Sequence, residues 1–227
     1  MRTETAGGSA SGGFWLFPDM QMKRGNRMKP VILYIHGKGG SHLEGARYQK
    51  NCPGFDLVGV DYDGTLPWVV QRQLQEAYDQ ARKRYDRVYV LANSIGAYLA
   101  MHALRACDIE RALFISPVLD MERLILDMMG WANVSEAELR EKGEILTDFG
   151  EVLSWDYLCF VRENPITWAV PTEILYAERD HLISRQTVDG FAGSHNAKLT
   201  VMRGGEHWFH TEEQLAFLDA WMKEALG

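Results

Sequence analysis

The chain has 227 residues, 46% of them hydrophobic and 24% charged, with 24 Lys and Arg against 31 Asp and Glu for a formal charge of −7. That length accommodates one α/β domain with an insertion but is short for two independent domains. The acidic balance, with no basic cluster reversing it locally, argues against a nucleic-acid partner, and no run approaches the ~18 apolar residues of a membrane span.

Residues 1–29 are Gly/Ser-rich through Gly13, and their one apolar burst, Phe14-Trp15-Leu16-Phe17, is cut by Pro18. The segment reads as a disordered N-terminal extension, because a secretory signal needs a longer apolar region and a small-residue cleavage site. Cys52, Cys107 and Cys159 are an odd number without Cys-x-x-Cys spacing. They indicate neither a zinc site nor a disulfide framework, and a reducing cytoplasm is the simplest compartment.

From residue 30 onward, strand-type runs at 31–36, 57–61, 87–92, 111–116, 172–177 and 198–203 alternate with helix-type stretches. That pattern predicts an α/β fold, a mostly parallel sheet of about six strands with helices on both faces. Residues 68–85 carry Val69, Leu74, Ala77, Tyr78 and Ala81 at helical spacing, and residues 212–226 repeat the pattern through Leu215, Leu218, Trp221 and Met222. The first strand runs into His36-Gly37-Lys38-Gly39-Gly40. A dinucleotide fingerprint would need glycine where His42 stands, and no apolar-periodic helix follows before Pro53. A phosphate P-loop fails because the lysine precedes the glycines. The loop reads instead as a donor of backbone N–H groups, with the Lys38 side chain in solvent and His36 structural.

Val88-Tyr89-Val90-Leu91 leads into Ala92-Asn93-Ser94-Ile95-Gly96 and then a helix-forming run. A single serine between small residues at a strand-to-helix turn has the form of a nucleophile elbow, with the Ile95 N–H free at the first turn of the helix. The plainer role for such a serine is an N-cap. Downstream, Glu178-Arg179-Asp180 follows one strand and Gly204-Gly205-Glu206-His207 follows the last. Asp180 is the first candidate for an orienting acid. Asp120 is the alternative, and Glu178 stands two residues too early. His207 is the candidate base, with His210 its competitor. The His-x-x-His pair lacks a third metal ligand at a usable spacing. Serine, acid and histidine in this order, each just past a strand, form a triad order known on parallel sheets.

Between Asp120 and Val170 the alternation lapses. Helical patterns at 122–129, 135–145 and 149–161 fill the stretch, Ser135 with Glu138 suggests a capping box, and no convincing strand is visible. Its large apolar residues include Met128, Trp155 and Tyr157, which are candidates for lining a substrate pocket.

On these four motifs the sequence resembles the α/β-hydrolase superfamily, and within it the small lidded bacterial serine esterases and lipases, including monoacylglycerol-lipase and serine-aminopeptidase-like members. The resemblance runs from Val31 to the C-terminus. It implies a core of residues 30–120 and 171–227, and a helical lid at 121–170. It implies Ser94, His207 and Asp180 as catalytic residues, and the N–H groups of Lys38 and Ile95 as an oxyanion hole. The implied reaction is hydrolysis of a small-molecule carboxylic ester through an acyl-enzyme, with no metal or organic cofactor, by a monomer or homodimer. A thioesterase, an amidase or peptidase, and a non-catalytic binding protein are the alternatives.

Overall fold

The computed structural model describes residues 29–227, so the extension expected over 1–29 lies, except for Lys29, outside the described residues. A six-stranded sheet is built from β1 (Val31–Ile35), β2 (Asp56–Gly59), β3 (Val88–Asn93), β4 (Arg111–Ile115), β7 (Thr172–Ala177) and β8 (Lys198–Met202). Its order is β2-β1-β3-β4-β7-β8, and every pairing is parallel. The strands expected from the apolar runs are thus the strands observed, to within a residue or two.

β1 is buried at all five positions because helices cover both faces of the sheet. Its side chains alternate between two cores. Val31, Leu33 and Ile35 pack with α1 (Pro67–Arg82) and α2 (Ile95–Leu104), while Ile32 and Tyr34 face α7 (Glu212–Leu226). On leaving β1 the chain turns toward β2, whereas on leaving β3 it turns toward β4. The carboxyl ends of β1 and β3 therefore flank a topological switch point, where parallel sheets open a crevice.

Residues 42–51, where no helix was expected, form a 3-10 stretch. Its buried residues, Gly45, Tyr48 and Asn51, recur every third position, which is the 3-10 period rather than the α period. A Cβ at Gly45 would stand 2.9 Å from Leu57 Cδ2, so the glycine lets this segment lie close on the sheet.

The insertion also departs from expectation. Besides α3 (Met121–Trp131), α4 (Glu136–Lys142) and α5 (Trp155–Glu163), it contains an antiparallel pair, β5 (Glu144–Leu146) with β6 (Val152–Ser154). Three residues per strand are too few for alternation to show in sequence. The helix expected from 149 begins only at Trp155. Gly150, at φ +83°, turns the hairpin, and Ser154 caps α5 by accepting from the Tyr157 N–H. Ser135 caps α4 as its spacing suggested. Met121, Ile125, Leu139, Leu153 and Leu158 join the core shared with β1 and β3, so the insertion packs into the main core. Among the described residues no helix is long and apolar enough to cross a membrane.

Candidate active site

Ser94 sits between β3 and α2 at φ 51°, ψ −121°, a conformation that costs a non-glycine residue about 1–3 kcal/mol. The turn is pinned from β4 and beyond: the Ser94 N–H donates to the Ile115 carbonyl (3.0 Å), and its carbonyl accepts from the N–H groups of Ala97 (3.1 Å) and Val118 (3.0 Å). The small neighbours have a steric cause. A Cβ on Gly96 would lie 2.4 Å from the His36 carbonyl oxygen and 2.6 Å from that of Ile35, and one on Gly37 would lie 3.3 Å from Ser94 Cβ. Ala92 is fully buried. Only small residues let α2 cross this close to the end of β1.

The loops after β7 and β8 are zipped together. Glu178 N–H donates to the Met202 carbonyl (3.0 Å), Arg179 N–H to the Gly205 carbonyl (2.8 Å), and the Glu178 carboxylate accepts from the Gly204 N–H (2.8 Å). Glu178 is therefore a loop fastener. The result brings His207 Nε2 to 3.0 Å from Ser94 Oγ and His207 Nδ1 to 2.6 Å from Asp180 Oδ2. The other Asp180 oxygen accepts from the N–H groups of Leu182 (2.9 Å) and Ile183 (3.0 Å). That carboxylate is 0% exposed and the imidazole 20%. A proton on Nδ1 facing the carboxylate leaves Nε2 as an acceptor for the serine hydroxyl. His210 turns to the Trp208 carbonyl (2.6 Å) and Glu206 (3.6 Å). Asp120 is the N-cap of α3, its carboxylate accepting from the Arg123 N–H at 2.9 Å.

At the end of β1, the Gly40 N–H donates to the Gly37 carbonyl (3.1 Å) and Gly39 takes φ +74°, which is a type II turn with Lys38 at its first corner. Among the described residues, neither the Lys38 nor the Ile95 amide is taken up by a turn, loop or cap. The Lys38 side chain is not free in solvent as expected. It pairs with Glu151 from the hairpin of the insertion. His36 stacks on Tyr62 at 4.2 Å.

A cavity of about 590 Å³ contains Ser94 and His207. Leu182, Trp208 and Phe209 supply its apolar wall and Tyr48, Asn93 and Ser116 a polar one. Burial pushes the Tyr48 hydroxyl above its ordinary range, so this wall is a neutral phenol. The structure places the three expected pocket residues elsewhere. Trp155 lies under the Arg140 guanidinium (4.7 Å), Tyr157 donates to the Thr65 carbonyl (3.1 Å) and meets Trp68 edge-on, and Met128 packs on the core. Reasoning from the sequence missed Leu182, Trp208 and Phe209. Their signal was position, each within two residues of Asp180 or His207.

Among the described residues no group of three His, Cys, Asp or Glu side chains could hold a metal ion. No protein-family model and no curated protein matches the sequence. Solved structures do match it. Est1E from Butyrivibrio proteoclasticus is 17% identical, with 90% of this chain and 89% of that one covered at a TM-score of 0.69. The same protein with ferulic acid bound matches at 16% identity, 90% of each chain and TM-score 0.66. Mouse alpha/beta hydrolase domain-containing protein 10 is 14% identical over 90% of this chain and 92% of that one, TM-score 0.65. At such identities the likeness is one of fold: the chain has the α/β-hydrolase fold.

Proposed function

We propose that this chain, on its α/β-hydrolase fold, is a serine hydrolase that cleaves small carboxylic esters. The observation that carries the reading is the continuous hydrogen-bonded relay from Ser94 Oγ through His207 to the fully buried Asp180. In the reaction, Ser94 Oγ attacks the ester carbonyl as His207 Nε2 takes its proton. Asp180 holds the imidazole in the right tautomer and stabilises its cationic form. The amides of Lys38 and Ile95 receive the developing oxyanion, each donor lowering the barrier by roughly 3 kcal/mol. Collapse of the tetrahedral species expels the alcohol, protonated by His207, and leaves an acyl-Ser94. Water activated by the same imidazole then attacks the acyl carbonyl, releasing the acid and restoring the serine.

The apolar wall of Leu182, Trp208 and Phe209 favours short or medium acyl chains or aromatic groups. The ferulic acid bound to Est1E makes aromatic acids a sensible part of the first panel. The insertion, which meets the Lys38 loop through Glu151, serves as a lid. All the proposed catalytic groups belong to one chain, so a monomer suffices. The unpaired cysteines suit a reducing cytoplasm. Hydrolysis of p-nitrophenyl esters from acetate to palmitate, wild type beside Ser94→Ala, tests the proposal. Turnover that disappears in the variant is the expected result. Inactivity on every ester would overturn ester specificity and move the assay to thioesters and amides, which use the same groups.

A further inference from the structure

Three side chains of fixed charge, Lys38, Glu44 and Arg47, line the cavity that contains Ser94. Two of them have partners. Lys38 pairs with Glu151, and the Glu44 carboxylate accepts from the Tyr34 hydroxyl at 2.8 Å. Arg47 differs: among the described residues no hydrogen bond or ion pair engages its guanidinium.

The 3-10 stretch explains why. Its period is three, so Glu44, Arg47 and Lys50 form one row beside the buried row of Gly45, Tyr48 and Asn51. Both ends of the charged row are fastened, Glu44 to Tyr34 and Lys50 to Asp219 at 2.6 Å, a carboxylate that Asn51 also engages. The middle member is left over. It is nonetheless held in place, with its guanidinium carbon 5.0 Å from the centre of the Tyr48 ring. Tyr48 is itself buried, and its hydroxyl takes a hydrogen bond from the side chain of Asn93, one residue before Ser94.

Contact with a ring face uses the charge of a guanidinium but none of its five N–H donors. Arg47 therefore presents an exposed, positioned fork of donors to the cavity. Such a fork matches a carboxylate through two parallel hydrogen bonds, and it is less strongly hydrated than an ammonium. We propose that Arg47 is a specificity-determining residue that pairs with a carboxylate carried by the substrate, so that acidic esters are selected over neutral ones of the same size. The proposal rests on the hydrolase reading, because the ester must occupy this cavity. The long-range field works against an anion, since the chain has a formal charge of −7. A preference for acidic esters must then come from a local cation.

The carboxylate can sit on the acyl or the alcohol side, and pairs that differ only in charge separate the two. Half-methyl esters of diacids from succinate to suberate, each against its ω-amide, test the acyl arm. 4-(Butanoyloxy)butanoate against its amide tests the alcohol arm. In one arm kcat/KM should favour the acid by about ten-fold, chiefly through KM. Arg47→Ala should bring that ratio to about one, and Arg47→Glu should invert it. Arg47→Lys, which keeps the charge and loses the fork, should retain part of it. Loss of a merely structural arginine would instead lower turnover of acid and amide alike. Ratios of one or below in both arms, or a ratio that Arg47→Ala and Arg47→Glu leave unmoved, would overturn the role of Arg47, while turnover of the amides keeps the hydrolase reading. Inactivity on every ester would overturn it as well, and labelling of Ser94 by a fluorophosphonate then decides whether the hydrolase reading survives.

Discussion

The site is held together by side chains that are absent as much as by those present. At Gly96 even one added carbon would meet two carbonyl oxygens at 2.4 and 2.6 Å, and backbone cannot swing aside as a side chain can. Gly96→Ala should therefore cost about 3 kcal/mol or more, read as a lowered urea midpoint. A change within about 0.5 kcal/mol would mean that α2 does not cross β1 as described. Ala92→Gly should be far milder, because the position asks only for a small residue. Ser94→Ala removes one hydroxyl and leaves the turn's hydrogen bonds, so the urea midpoint should hold while turnover falls about 10⁴-fold or more. Ser94, Asp180 and His207 could be put forward as candidates because each follows a strand end, strand ends could be read from short apolar runs, and the fold brings the three side chains into hydrogen-bonding distance. The pocket wall was not foreseen. Apolar residues of the insertion and of the loops look alike in sequence, and only the zipped loops after β7 and β8 show that Leu182 and Trp208 face Ser94 while Trp155 and Tyr157 do not.

Among elements, the 3-10 stretch at 42–51 is tied to α7 by polar contacts. Asn51 Nδ2 donates to Asp219 Oδ1 at 2.7 Å, and Lys50 Nζ lies 2.6 Å from Asp219 Oδ2. Burial alone would raise the Asp219 carboxyl, but the hydrogen bonds from Lys50 and Asn51 outweigh it and hold the group below the ordinary carboxylate range. A depressed folded-state value stabilises the fold above the unfolded aspartate's ~4 and is lost as pH falls through the folded value. Asp219→Asn should accordingly cost about 1 kcal/mol at neutral pH, with the two denaturation midpoints converging in acid as the carboxyl is protonated. A gap that persists in acid would mean the contact is steric. The Lys38–Glu151 pair joins two other elements, the type II turn and the hairpin of the insertion, and both side chains are substantially exposed. Glu151→Gln should lower kcat about two- to five-fold, as should high salt in the wild type but not in the variant. Identical salt profiles would detach the hairpin from catalysis. This coupling could not be read in advance, because the residues are 113 positions apart.

Over the whole molecule, the parallel sheet decides where chemistry can happen. Continuous apolar strands with intervening helices made the doubly covered sheet legible, and its order then follows from the chain leaving β1 and β3 in opposite directions. The crevice so opened collects Ser94 from the end of β3, Lys38 from the end of β1, and the zipped loops carrying Asp180 and His207. What the period of the sequence could not disclose were the short hairpin and the 3-10 stretch, elements too brief or too oddly spaced for an α or β signature. The most direct measurement is the intact mass and peptide map of the protein after treatment with a fluorophosphonate. A single adduct on Ser94, abolished by His207→Ala, is the outcome a general-base relay requires. An unmodified protein, or an adduct on another serine, would contradict Ser94 as the nucleophile.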